Sequence, residues 1–385
     1  MPSDDGFIAL SEPLLAGNEA AYLQDCVDTN WVSSAGPYVE RFERAVAATA
    51  GGGEAVATAS GTAALHLALL VAGVRPGDLV LTSTLTFIAS ANAITHAGAD
   101  PVLVDAEPAT WQMDPARVAA YLDRDCDAGA EGPVERASGR RVAALMPVHI
   151  LGHPVDMDPL LETARRHGLL VIEDATESLG ADYKGRPVGS LGDIACFSFN
   201  GNKLVTCGGG GMIVTGNRDW AARARHLSTQ AKDDPVESTH DAVGYNYRMT
   251  SLQAAVGCAQ MERFDELRAA RRRIAATYRD AFADVAGLSF MPSADWADPV
   301  FWLSTVLIDA DACGHDRREL HARLRETGIQ TRPLWQPLHR GVVYGEAHRL
   351  GGEVAESIQD KALSLPSSCG LSAEAQARVI AGMTA

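Results

Sequence analysis

Apolar positions along this chain follow two rhythms. Between about residues 16 and 226, helical patterns alternate with short, nearly continuous β-rich runs at 78–83, 101–105, 142–149, 169–174 and 212–215. Strands apolar on both faces, separated by amphipathic helices, predict a mostly parallel sheet covered on both sides. A pattern dense in Ala, Leu and Arg over 251–285 predicts one long bridging helix. Beyond it come a strand pattern at 301–308, a helix at 317–327 and the segment 329–335. The expected architecture is α/β. Residues 1–250 form a large domain with an N-terminal helical segment, and residues 251–385 form the bridging helix and a smaller C-terminal α/β domain. The stretch 126–140, rich in Gly, Ala and charge, is expected to be an inserted surface loop.

Composition narrows the class. A chain of 385 residues exceeds the usual size of a single core, and 46% hydrophobic with 21% charged residues is ordinary for a globular protein. The formal charge of −16 argues against nucleic-acid or anionic-membrane partners, which need clustered Lys and Arg. An anionic small substrate would then need a local basic pocket. The seven cysteines have neither paired nor metal-ligand spacing, and Met1-Pro-Ser-Asp-Asp lacks a signal-peptide start. Apolar runs fall short of the roughly 20 residues a membrane helix needs. These features predict a soluble cytoplasmic protein with reduced thiols and no metal.

Candidate chemistry centres on two residues. Asp174 ends an apolar strand, and Lys203 follows 29 residues later in Phe197-Ser-Phe-Asn-Gly-Asn-Lys203. That pairing suits pyridoxal phosphate. An aspartate keeps the pyridine nitrogen protonated so that the ring can act as an electron sink, while a lysine amine holds the aldehyde and moves protons. Burial among apolar residues makes such a lysine lose its proton more readily. Ser60, Gly61 and Thr62 open a helix whose free N–H groups and hydroxyls suit a phosphate, and Ser198 adds another hydroxyl. Phe87 is a candidate to stack on the pyridine ring.

Plainer roles compete with several of these. Asp174 could cap a helix, Glu177 could be a capping-box acid, Phe87 could be core, and Asn246 and Arg248 could belong to a surface turn. Arg332, near Trp335 and His339, offers a planar guanidinium for a carboxylate or pyrophosphate. His149 and His153 flank Gly152 at a strand end and read as structural.

Through these residues the chain resembles the DegT/DnrJ/EryC1/StrS family of pyridoxal-phosphate sugar aminotransferases, from Asn30-Trp-Val-Ser-Ser-Ala-Gly-Pro to Leu363-Ser-Leu-Pro-Ser. Pro147-Val-His-Ile-Leu-Gly-His, Asn200-Gly-Asn-Lys, Thr229-Gln-Ala-Lys-Asp-Asp-Pro, Gly244-Tyr-Asn-Tyr-Arg and Gln330-Thr-Arg-Pro-Leu-Trp resemble one branch in particular. That branch aminates nucleotide-linked 4-keto-6-deoxy-N-acetylhexosamines toward bacillosamine- or legionaminic-type sugars.

The resemblance implies the type I aminotransferase fold and a homodimer with shared active sites. It implies Lys203 as the Schiff-base lysine, Asp174 as the pyridinium partner, and Gly61, Thr62 and Ser198 as phosphate ligands. Asn246 would reach the phosphate from the neighbouring subunit, and Arg248, Arg332 and His339 would line the sugar-nucleotide entrance. The contact made by Glu177 stays open, because much of the family has an amide or histidine there. Sugar 3-dehydratases of the family replace the Schiff-base lysine with histidine, which this chain does not. The implied reaction moves the amino group of L-glutamate to C4 of a UDP-4-keto-6-deoxy-N-acetylhexosamine. The alternatives are a GDP- or dTDP-4-keto-6-deoxyhexose acceptor, an amino-acid lyase of the same fold type, or a non-catalytic cofactor-binding sugar sensor.

Overall fold

A computed structural model describes residues 6–234 and 236–384; the Met1 start and Pro235, which ends the Thr229 motif, lie outside them. Eight strands form the main sheet, in the order Glu54–Thr58, Gly211–Thr215, Ile194–Ser198, Leu170–Asp174, Val142–Met146, Leu79–Ser83, Asp100–Val104 and Arg349–Leu350. Gly211–Thr215 runs antiparallel to both neighbours. The other pairings are parallel. All five apolar runs expected as strands are strands of this sheet.

Side chains alternate across it with the period of two that a pleated strand imposes. Val171 joins Val39, Phe42, Leu81 and Phe197 in the core on one face, while Ile172 joins Val56, Leu65, Val80 and Ile213 on the other. Both faces are therefore dry, and Leu79–Ser83 and Gly211–Thr215 are buried along their whole length. The Gly61–Val71 helix (Gly-Thr-Ala-Ala-Leu-His-Leu-Ala-Leu-Leu-Val) is apolar nearly all round and lies inside the second core.

A four-stranded antiparallel sheet follows, in the order Leu288–Phe290, Ser304–Ile308, Ala362–Leu365 and Arg332–Pro333. The helices Phe264–Phe282, Arg317–Glu326 and Ala373–Thr384 supply residues to its core. Backbone pairing ties it to the rest of the chain. Ile8 bridges to Ile329, and Arg349–Leu350 returns to the edge of the main sheet beside Leu103 and Val104.

Two expectations need correction. The bridging pattern is two helices, Ser251–Glu262 and Phe264–Phe282, broken at Arg263 (φ −111°, ψ 15°). The break turns Phe264 onto Gly180, where an added Cβ would sit 2.4 Å from the ring. The expected loop at 126–140 contains a hairpin, Cys126–Gly129 with Gly132–Glu135. Glu135 is buried and accepts hydrogen bonds from Tyr121 Oη at 2.9 Å and Ser138 Oγ at 2.5 Å. Among the described residues no helix is long and apolar enough to cross a membrane.

Candidate active site

A cavity of about 370 Å³ opens at the carboxyl ends of the parallel strands, where open α/β sheets bind ligands. Its floor joins a helix start to a strand end. Ser60 caps the Gly61–Val71 helix by accepting the Ala63 N–H at 3.1 Å, and Ser198 closes the Ile194–Ser198 strand. Gly61 lets them meet: a Cβ there would lie 2.8 Å from Ser198 Cβ. Ser60, Gly61, Thr62 and Ser198 all line the cavity, so hydroxyls and first-turn N–H groups form a cup suited to an anion.

Asp174, at the end of its strand, is only 2% exposed. Its Oδ2 accepts a hydrogen bond from Ser90 Oγ at 2.7 Å and its Oδ1 one from the Thr176 N–H at 3.2 Å. Glu177 is buried one turn further on, with Oε2 accepting the Leu151 N–H at 2.8 Å. Its Oε1 lies 3.6 Å from Lys203 Nζ. Burial pushes the Glu177 carboxyl up to about 7, against the pull of the lysine. Burial likewise draws the Lys203 ammonium below its ordinary value, while Glu177 and Asp174 oppose the loss of its proton. The amine is thus poised to exchange its proton.

The third neighbour of Lys203 comes from the C-terminal part of the chain. Nζ stands 3.9 Å above the centroid of the Trp302 ring, and Trp302 Nε1 donates to the Asn202 carbonyl at 2.7 Å. The Val300 and Trp302 N–H groups donate to the carbonyls of Gly152 and Leu151, each at 3.0 Å. Leu151 (φ 57°), Gly152 (φ 83°) and Phe301 (φ 51°) are left-handed at this clip. Ser90 and Trp302 are the site residues the sequence reading missed. A serine inside a helical run and a tryptophan in an apolar run carry no local signal of function.

Other expected residues divide. Phe87, 52% exposed, and Arg332, also exposed, line the cavity, and Arg332 makes no ion pair among the described residues. Trp335 lines it too, stacked on Trp302 at 6.0 Å between centroids. Asn246 is exposed and outside its own chain's cavity.

Arg248 and His339, expected at the entrance, do not line the cavity either. Arg248 is 3.0 Å from Glu43, the carboxylate that also holds Arg225, so its charge is satisfied away from the mouth. His339 is buried between Thr84 Oγ1 at 2.6 Å and Glu356 Oε1 at 2.9 Å, which occupy both ring nitrogens. It ties a turn and a helix to the sheet. His149 and His153 are fully buried: His149 Nδ1 accepts the Val155 N–H and its Nε2 faces Glu173, while His153 Nε2 accepts the Ala294 N–H.

An anion cup, a buried carboxylate and a proton-exchanging amine lining one cavity fit pyridoxal phosphate in residue type and position. Comparison with known proteins agrees. The model of the DegT/DnrJ/EryC1/StrS aminotransferase family matches residues 13–384. The chain is 42% identical to the GDP-perosamine synthase of Caulobacter vibrioides over 382 residues, 99% of this chain and 98% of that one. It is 37% identical to the GDP-perosamine synthase of Escherichia coli O157:H7, covering 96% and 95%. It is also similar to the crystal structure of DesI in the presence of its TDP-sugar product, with a TM-score of 0.88, 30% identity, and 99% and 93% coverage.

Proposed function

The chain belongs to the DegT/DnrJ/EryC1/StrS aminotransferase family and works with pyridoxal phosphate, and we propose that it aminates C4 of a GDP-linked 4-keto-6-deoxyhexose with L-glutamate as donor. The observation that carries the nucleotide is full-length similarity to GDP-perosamine synthases, whose named product is a GDP-linked 4-amino-4,6-dideoxyhexose. The segments that resemble the bacillosamine branch are shorter, and the UDP-N-acetylhexosamine reading gives way to the GDP alternative on that ground.

Bound pyridoxal phosphate supplies an electron sink and a carrier for the amino group. The residues supply the rest. Ser60, Gly61, Thr62 and Ser198 would hold the phosphate, and Phe87 would pack against the ring. Asp174, charged and held by Ser90, keeps a proton on the pyridine nitrogen. Lys203 would take up and return the proton that the transfer moves, a general acid–base task worth on the order of 10²–10⁴-fold. Glu177 sits beside the amine as its proton partner. Arg332 receives the donor carboxylate or the sugar pyrophosphate.

In this reading residues 1–250 form the domain that carries the cup, Asp174 and Lys203, and residues 251–385 bring Trp302 and Arg332 over them. The protein works as a homodimer. The loop bearing Asn246, anchored by the Arg248 contact with Glu43, reaches the phosphate of the neighbouring subunit. The test is turnover with GDP-, UDP- and dTDP-linked 4-keto-6-deoxy sugars and glutamate. A clear preference for the UDP-N-acetylhexosamine or the dTDP sugar overturns the GDP assignment and leaves the aminotransferase chemistry standing.

A further inference from the structure

Lys203 Nζ has two attractive neighbours. One is the Glu177 carboxylate at 3.6 Å, and the other is the face of Trp302, with Nζ 3.9 Å from its centroid. A cation over an aromatic face is attracted by the ring quadrupole, most strongly for Trp and where water is excluded. Water is largely excluded here, since the Lys203 side chain is 13% exposed and Trp302 3%.

The ring is also fixed in place. Its Nε1 holds the Asn202 carbonyl, next to Lys203, and its ring stacks on the nearly parallel indole of Trp335. Its backbone carbonyl accepts Arg271 Nη1 at 2.8 Å. Arg271 is 1% exposed and has no carboxylate partner among the described residues. The same guanidinium reaches Ser367 O and Ser11 Oγ, and Ser11 Oγ donates to Asn202 O at 2.8 Å. Four distant segments thus converge on the ring and the turn that presents Lys203.

We propose that Trp302 is a positioning residue for the Lys203 amine, its indole face and the Glu177 carboxylate forming a seat that favours the ammonium once the free amine has taken up a proton. The seat keeps that ammonium within the cavity until it gives the proton back. Asp174, Glu177 and Arg332 are the other charged groups lining the cavity, and none of them is on the Trp302 segment. The inference rests on Lys203 being the amine that meets the cofactor. It is independent of the sugar.

Cofactor-free protein gives the test, by titrating Lys203 through competitive acetylation and mass spectrometry. Trp302→Leu admits water, which itself favours an ammonium, so shape-preserving fluorinated tryptophans carry the experiment. Fluorine withdraws charge from the ring face step by step while its outline stays. Replacing all six tryptophans with mono- to tetrafluorotryptophan should lower the Lys203 pKa progressively, by about 0.4 to 1.5 in total, roughly 3- to 30-fold in its protonation constant. The trend should vanish in a Trp302→Phe background. A flat series, or a slope that persists in Trp302→Phe, overturns the proposal. Borohydride reduction of the loaded protein, mapped by peptide, separately tests whether Lys203 is the cofactor's amine.

Discussion

Ser90 donates its hydroxyl hydrogen to Asp174 Oδ2 at 2.7 Å, from the Ala89–His96 helix to the end of a strand 84 residues away. Both are buried. With the Thr176 N–H on Oδ1, the protein holds both carboxylate oxygens of a residue that lines the cavity.

Removing the hydroxyl should therefore cost less than removing the charge. A hydrogen bond to a charged group contributes about 1.5–3 kcal/mol, so Ser90→Ala should slow the glutamate half-reaction roughly 10- to 150-fold. Asp174→Asn, which keeps the shape and loses the charge, should slow it by orders of magnitude. Single-turnover absorbance measures both. Wild-type rates in Asp174→Asn would remove its role as the pyridinium partner.

Glu177 should make the stability of the cofactor-free protein depend on pH. Its carboxyl titrates near 7 in the fold against 4.5 ordinarily, so the fold binds that proton more tightly than the unfolded chain. The resulting stabilisation is complete below about pH 4.5 and is lost as pH rises through 7. Relative to Glu177→Gln, the melting temperature should be most favourable near pH 5 and fall behind by pH 8. A difference constant over that range would show that burial does not raise this group.

Arg332 is a cation at the cavity with no carboxylate partner among the described residues. A charge-assisted contact is worth about 1.5–3 kcal/mol, so Arg332→Ala should weaken its ligand roughly 10- to 150-fold. Separate half-reactions identify the ligand. Loss confined to glutamate assigns the guanidinium to the donor, loss confined to the nucleotide sugar assigns it to the pyrophosphate, and no loss in either takes it out of the site.

The proposed sharing of active sites between subunits predicts rescue by mixing. Lys203→Ala and Asn246→Ala are each expected to be inactive, and hybrid dimers should contain one intact composite site. Activity should reappear after subunit exchange. No recovery after verified exchange, with Asn246→Ala impaired alone, would count against the partner's phosphate as its target.

The sequence made the sheet and its two chemical anchors legible because each carries a local signature. Asp174 ends an apolar run, Lys203 sits in a small-residue turn, and Ser60 and Thr62 open a helix. Glu54–Thr58 and Ile194–Ser198 escaped notice because alanine and flanking polar residues dilute their β pattern. The break at Arg263 is invisible in a stretch dense in Ala, Leu and Arg with no proline, and packing of Phe264 onto Gly180 decides it. Arg248 and His339 show the limit of motif position. It marks where a residue falls in the chain, while Glu43, Thr84 and Glu356 decide what it touches.

The clip between Gly152 and Val300 bears on which positions tolerate mutation. Gly152 does not line the active-site cavity, yet its left-handed backbone and the 2.5 Å that a Cβ would leave to Val300 Cγ2 admit glycine alone. Its neighbour Leu151 anchors Glu177 through its N–H and Trp302 through its carbonyl. In a saturation scan scored by growth on the protein's product, Gly152 should be depleted as thoroughly as Lys203. Purified Gly152→Ala should fail by a different route, a misaligned Glu177 and Trp302 around a lysine that is still present.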